Sequence, residues 1–347
     1  MILRGIRFGS VHQASGVTNF DGNGWWYHHP LRPFGLNFRG STFVAKTTTL
    51  EARAGNMPLK KDGKTPKEWI PKSIIVKRKD RVALNAVSLS GPGLEFIIEQ
   101  GWWQNQLRPF LVSVMSLEKT AEDRLYELKA IFEQLTAAYR YEKFLADWGV
   151  QVNLSCPNGG LDPHSLAEEA LPVLNLADKT LSANIPVMLK FGPEVHPESM
   201  LKIGRHPRLD AICVFNTMPF GKQAQWTERT SPIDWKRLFG TDDPQKSPMA
   251  KRFPGFAGGL SGAPLLPLLI EWLERARKAN FLKPICGGGG ILCPEDAEKV
   301  SHAGADAVFL GSIAFLAPRQ VRKTIRHGNV HFGTANGLFR PREHVLD

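Results

Sequence analysis

Apolar and polar positions along the 347-residue chain alternate between two regimes: short apolar runs, and longer stretches with helical spacing. The runs lie at 10–14, 43–46, 110–115, 150–154, 187–191, 211–215, 284–286 and 307–310, and several are β-branched or apolar on both sides of the pleat. That pattern predicts strands buried on two faces, as in a parallel sheet wrapped by helices. Helix signals fall between them. Thr120 with Asp123 predicts an N-cap for a helix through Leu125, Leu128 and Phe132. Pro264 suits the first turn of a helix over 268–279, while Pro294 opens and Gly304 closes another just before the last run. Eight such units predict an α/β fold, a (β/α)8 TIM barrel, with a doubly wound open sheet as the other arrangement. No linker interrupts the pattern, so 1–347 reads as a single domain. Two stretches, 52–83 and 218–257, exceed ordinary loop lengths and read as insertions that serve as lids or partner surfaces.

Composition narrows the function. No run approaches the ~18 apolar residues that span a bilayer, and the opening residues lack a signal-peptide core, so a cytoplasmic location is expected. Cys156, Cys213, Cys286 and Cys293 form no CxxC pair, which argues against disulfides, a zinc site or an iron–sulfur cluster held by this chain. The net charge of +11 is uneven: residues 60–81 hold nine Lys/Arg against three Asp/Glu. Nucleic-acid or membrane binding is one reading of that segment; a solvated loop or hairpin is the other.

Candidate chemistry gathers where the runs end. ICGGGGI (285–291) and AVFLGSIAF (307–315) put glycines directly after the seventh and eighth runs. Glycine lets backbone N–H groups approach a phosphate, and in (β/α)8 barrels that site follows strands seven and eight. A tight turn accounts for one such glycine, but less readily for four in succession. AGGLSG (257–262) is a further place for close backbone approach, and QASG (13–16) ends the first run with small residues. Lys46 and Lys190 stand at the ends of the second and fifth runs. Such a pair suits an anionic reduced flavin; snorkelling to the barrel rim is the alternative. Asn85, Asn153, Asn158 and Asn216 each follow an apolar run, and carboxamides match the C=O/N–H edge of a pyrimidine ring. In VNLSCPN (152–158) the Cys156 thiol has polar neighbours, which reads as a reactive group rather than a packed one.

Taken in order, these motifs resemble the dihydroorotate dehydrogenases, FMN-dependent (β/α)8 enzymes of pyrimidine synthesis. The resemblance runs from Ala14-Ser15-Gly16 to Gly311-Ser312. NLSCPN is its most specific motif, and KTTTLEARAGN (46–56) is similar to the family's K-S-x-T-L-E-x-R-x-G-N. It implies substrate contacts from Lys46, Asn85, Asn153, Asn158, Asn216 and Thr217. FMN contacts would come from Ala14, Ser15, Gly16, Lys46, Thr47 and Lys190, with Gly262, Gly289, Gly290, Gly311 and Ser312. Cys156 would be the general base, assisted by Ser155 and Lys46. Cysteine at this position, and no N-terminal helical extension, are features of class 1 rather than of the membrane-associated, quinone-linked members. LNAVSLSGPG (84–93) and GGLSG (258–262) are similar to the subclass that works with an iron–sulfur/FAD electron-transfer subunit and NAD. A homodimer, or a heterotetramer with that subunit, is implied; membrane and nucleic acid are not.

Other readings remain beside this one. Dihydropyrimidine dehydrogenase has a similar motif, with histidine where this chain has Asn158 and with iron–sulfur domains on the same chain. A tRNA dihydrouridine synthase has glycine where this chain has Ser155. A flavin-binding relative without turnover is the non-enzyme reading. The family carries glycine at the position of Ser88, in the loop whose backbone faces the substrate carboxylate. WWYHHP (25–30) and the segments 60–81 and 218–257 have no recognised counterpart in it.

Overall fold

The computed structural model describes residues 1–155 and 168–335. In chain order its strands are β1 (Ile2–Leu3), β2 (Ile6–Arg7), β3 (Val11–Gln13), β4 (Ile74–Lys77), β5 (Val82–Asn85), β6 (Phe110–Val114) and β7 (Trp148–Asn153). They continue with β8 (Val187–Phe191), β9 (Ala211–Val214), β10 (Met218–Pro219), β11 (Gly259–Gly262), β12 (Ile285–Gly287) and β13 (Ala307–Leu310). Seven of them form one parallel sheet in the order β3-β13-β12-β9-β8-β7-β6. The segment 42–48 joins its two edges through parallel bridges His12↔Thr42, Val44↔Leu111 and Thr48↔Val114, completing an eight-membered (β/α)8 barrel. Val112, Val150, Val187 and Ile212 are fully buried, as strands covered on both faces require.

The helices follow the expected caps. Thr120 Oγ1 accepts from Asp123 N (3.1 Å) at the start of Ala121–Tyr141. Pro264 caps Leu265–Lys278, and Pro294 occupies the first turn of Pro294–His302. Among the described residues no helix is long and apolar enough to cross a membrane.

The β1–β2 hairpin closes the N-terminal end of the barrel. Met1, Leu3 and Phe8 pack there with Leu111, Met188 and Ala307, and Arg4 ties the hairpin to Asp210 (2.9 Å) and to the Ala183 carbonyl (2.7 Å). His12 is buried in this region. Burial, and then the nearby N-terminal ammonium, lower its pKa from 6.5 to about 3. Between those values the unfolded chain binds a proton that the folded chain refuses, so this contribution is intact above pH 6.5 and shrinks as pH falls towards 3. Unfolding in urea at a series of pH values is expected to show His12→Gln losing about 1.4 kcal/mol per pH unit of that slope relative to the unaltered chain.

The long stretches at 52–83 and 218–257 are not simply loops. β4 and β5 form an antiparallel hairpin within and beyond the basic segment, and β5 pairs with β11, which pairs with β10. AGGLSG, read as a place for close backbone approach, contributes β11. The resulting four-stranded sheet contributes to the cavity at the C-terminal ends of the barrel strands, through Ile74, Val76, Ala83, Asn85 and Ser261.

Candidate active site

A cavity of about 470 Å³ opens where the barrel strands end, a size typical of small-molecule sites. Ala14, Ser15 and Gly16 reach it after β3, and Lys46 and Thr47 from the closing segment. Asn153 and Lys190 reach it from β7 and β8, where they stand opposite each other in register. Asn216 and Thr217 follow β9, Gly289 and Gly290 follow β12, and Gly311 and Ser312 follow β13. Asn85 comes from the second sheet. Eight separate pieces of sequence therefore converge on one hollow.

Two of the expected residues stand behind this lining. Ser155 is buried and braces its neighbours: its N–H and Oγ both donate to Asn153 Oδ1 (3.2 and 3.1 Å). Asn216 Nδ2 donates to the Ser155 carbonyl (3.1 Å) and to Asn153 Oδ1 (3.4 Å). The network occupies the carboxamide oxygen of Asn153 and the amide nitrogen of Asn216. Asn153 is left to donate and Asn216 to accept, the complement of a ring edge carrying C=O beside N–H. Gly262 is not among the residues lining the cavity, and a Cβ there would lie 2.2 Å from the Arg81 carbonyl oxygen. Cys156 and Asn158 lie outside the described residues.

Both lysines are buried, each 6% exposed. The Lys46 ammonium donates to the Ser90 carbonyl and lies 4.9 Å from the centroid of the Phe20 ring. Lys190 Nζ lies 5.4 Å from the Phe309 ring, above the Cys213 and Cys286 pair on β9 and β12. A hydroxyl chain from Ser15 through Thr47 (2.8 Å) to Ser113 (2.9 Å) secures the strand ends beside them. Among the described residues nothing accepts from the backbone N–H groups of Gly289 and Gly290, nor from those of Val87, Ser88 and Leu89. Unpaired N–H groups beside buried cations form a place for anions.

Among the described residues no thiol lines the cavity. Burial holds Cys286 well above the ordinary thiol range, packed against Cys213, which is also buried. Burial, and then the Glu295 carboxylate, push Cys293 up to about 11.

The mouth of the cavity was not legible from the motifs. Trp25, Trp26 and Tyr27 meet Trp69 and Ile70 there. The Trp26 and Trp69 rings stack with centroids 3.8 Å apart, and Trp26 Nε1 donates to the Trp69 carbonyl (3.2 Å). WWYHHP and the basic segment, both without a recognised counterpart, thus close on each other. Their length and aromatic content were the only advance signal.

A family model described as dihydroorotate dehydrogenase matches residues 35–328. The catalytic subunit of dihydroorotate dehydrogenase B (NAD(+)) from Anoxybacillus flavithermus is 28% identical over 291 residues, covering 82% of this chain and 77% of its own. Dihydroorotate dehydrogenase A (fumarate) from Lacticaseibacillus paracasei is 25% identical over 319 residues, 89% of either chain. The solved structure of DHODH from Eimeria tenella in complex with ferulenol aligns with a TM-score of 0.63 and 17% identity, over 98% of this chain and 85% of that one, a likeness of fold. With the barrel, the cavity at its strand ends and a family match across most of its length, the chain belongs to the dihydroorotate dehydrogenase family of flavin-dependent oxidoreductases.

Proposed function

We propose that this protein oxidises dihydroorotate to orotate in pyrimidine synthesis, with FMN as its cofactor and Cys156 as the general base. The observation that carries the reading is the braced pair Asn153–Asn216, a donor beside an acceptor, at the level of Lys190 in the same cavity. The residues present fit FMN: Gly289 and Gly290 offer unpaired N–H groups to a phosphate, and buried Lys190 offers a cation to the ring system. When bound, FMN supplies a hydride acceptor. The chain's own residues do the rest. Asn85, Asn153, Asn158, Asn216 and Thr217 orient the dihydropyrimidine ring. Cys156 takes the proton from C5 as hydride leaves C6, and the network through Ser155 holds the asparagines still. The relative named as a catalytic subunit favours an iron–sulfur/FAD partner that takes the electrons onward, in the cytoplasm.

The test is an anaerobic visible spectrum of the purified protein before and after dihydroorotate is added. Bleaching of a flavin band near ~450 nm is expected for ring reduction. A yellow protein that stays yellow would redirect the substrate assignment to another reduced pyrimidine or to a relative without turnover. A colourless protein that FMN does not reconstitute would end the reading.

A further inference from the structure

Ser88 and Leu89 are held at φ +58° and +52°, the one consecutive pair of non-glycine residues at positive φ among the described residues. A Cβ is disfavoured in that region, and residues kept there mark places where the surroundings impose the conformation. Here the surroundings are on hand. Asn56 N donates to the Val87 carbonyl (3.0 Å) and Asn56 Nδ2 to the Ala86 carbonyl (2.8 Å). Ser90 Oγ bonds back to the Val87 carbonyl (3.1 Å) and accepts from Met57 N (3.0 Å), while Lys46 holds the Ser90 carbonyl.

Every one of those bonds grips a residue flanking Ser88, and none uses its side chain. Ser88 is nevertheless 3% exposed and lines the cavity, together with Val87 and Leu89. Among the described residues nothing accepts from the N–H groups of 87 to 89, and the Ser88 hydroxyl stands beside them. The turn therefore lines the cavity with donors, and the Lys46 ammonium is held by the Ser90 carbonyl next to it.

We infer that Ser88 is a specificity-determining contact: its hydroxyl, beside the N–H groups of the 87–89 turn, donates to the carboxylate of the substrate ring. The inference rests on the proposed dihydroorotate reading and deepens it. A glycine would enter this conformation more easily, but it would bring no hydroxyl. An O–H donor to an ionised carboxylate is among the stronger hydrogen bonds a site can make, and it favours substrates that carry the anion.

The experiment is calorimetric titration of orotate into the flavin-loaded full chain, unaltered and as Ser88→Ala and Ser88→Gly, with thermal unfolding and flavin content recorded for each. Both variants are expected to bind orotate about tenfold more weakly, the scale of one lost hydrogen bond to a charged group, with flavin content unchanged. The neutral carboxamide of orotate should show a smaller change. Wild-type affinity in both variants would overturn the inference. So would weakening in Ser88→Gly alone, which would trace the effect to backbone stiffness, or equal weakening for orotate and its carboxamide. Should the unaltered protein itself fail to bind orotate, the dihydroorotate reading fails first and this inference with it, before any variant is compared.

Discussion

Cys156→Ala will slow reduction of the flavin by dihydroorotate about 10²–10⁴-fold, the usual contribution of a positioned general base, and will leave the flavin bound. No other described thiol can stand in for it. Cys213 and Cys286 are packed into the barrel interior, and Cys293 holds its proton to about 11. A thiol base acts as its thiolate, so the reduction rate of the unaltered protein should rise with pH as Cys156 gives up its proton and level off once it has. Cys156→Ser should keep a residue of activity that appears only at higher pH, because a hydroxyl gives up its proton less readily. Stopped-flow reduction from pH 6 to 9 reads all three. If Cys156→Ala is reduced as fast as the unaltered chain, the base lies elsewhere.

Gly290→Ala will strip the flavin from the purified protein and cost about 2–5 kcal/mol of stability, combining overpacking with an unfavourable φ. Gly290 sits at φ +78°, where a Cβ would stand 2.7 Å from Leu266 N and 2.8 Å from the Gly262 carbonyl oxygen. Neither is the end of a flexible side chain, so the turn itself has to move, and with it the N–H groups assigned to the phosphate. Gly255→Ala is the matched control. It has φ +85° with nothing within 4 Å, so it carries the conformational cost of about 1 kcal/mol without the collision. Thermal unfolding and flavin content, compared between the two, separate backbone preference from collision. Equal losses in both would mean that the close contact at Gly290 contributes nothing.

The barrel was legible because burial on two faces leaves an uninterrupted apolar signature. The runs at 187–191 and 307–310 coincide with β8 and β13, and the run at 110–115 differs from β6 by one residue. The second sheet was legible only in part: a hairpin was one reading of the basic segment, but β5 pairs with β11 across more than 170 residues, Asn85 opposite Gly259, and no local pattern announces a partner that distant. The same limit applies to Trp26 and Trp69, which stand in two segments far apart in the chain until folding stacks them. Among the site residues, Lys46, Asn153 and Lys190 were visible as polar groups ending apolar runs. Gly262 does not line the cavity, and its sequence could not say why a glycine stands there. A glycine required by strand pairing and a glycine required by a ligand look identical in a sequence. Ser155 was expected beside the chemistry, and its bonds instead make it a brace for Asn153 and Asn216.

The barrel is not equally fastened all round. Seven strands share continuous ladders, whereas 42–48 joins its neighbours through separated bridges and backbone bonds such as Ala45 N to the Leu111 carbonyl (2.8 Å) and Thr48 N to the Ser113 carbonyl (2.9 Å). That seam also delivers Lys46 and Thr47 to the cavity. Opening that seam would carry both residues away from the cavity, so closure of the barrel and assembly of the site depend on the same bonds. A cofactor held by Lys46 and Thr47 would act as a rivet across that seam, so loading the protein with flavin should raise its melting temperature.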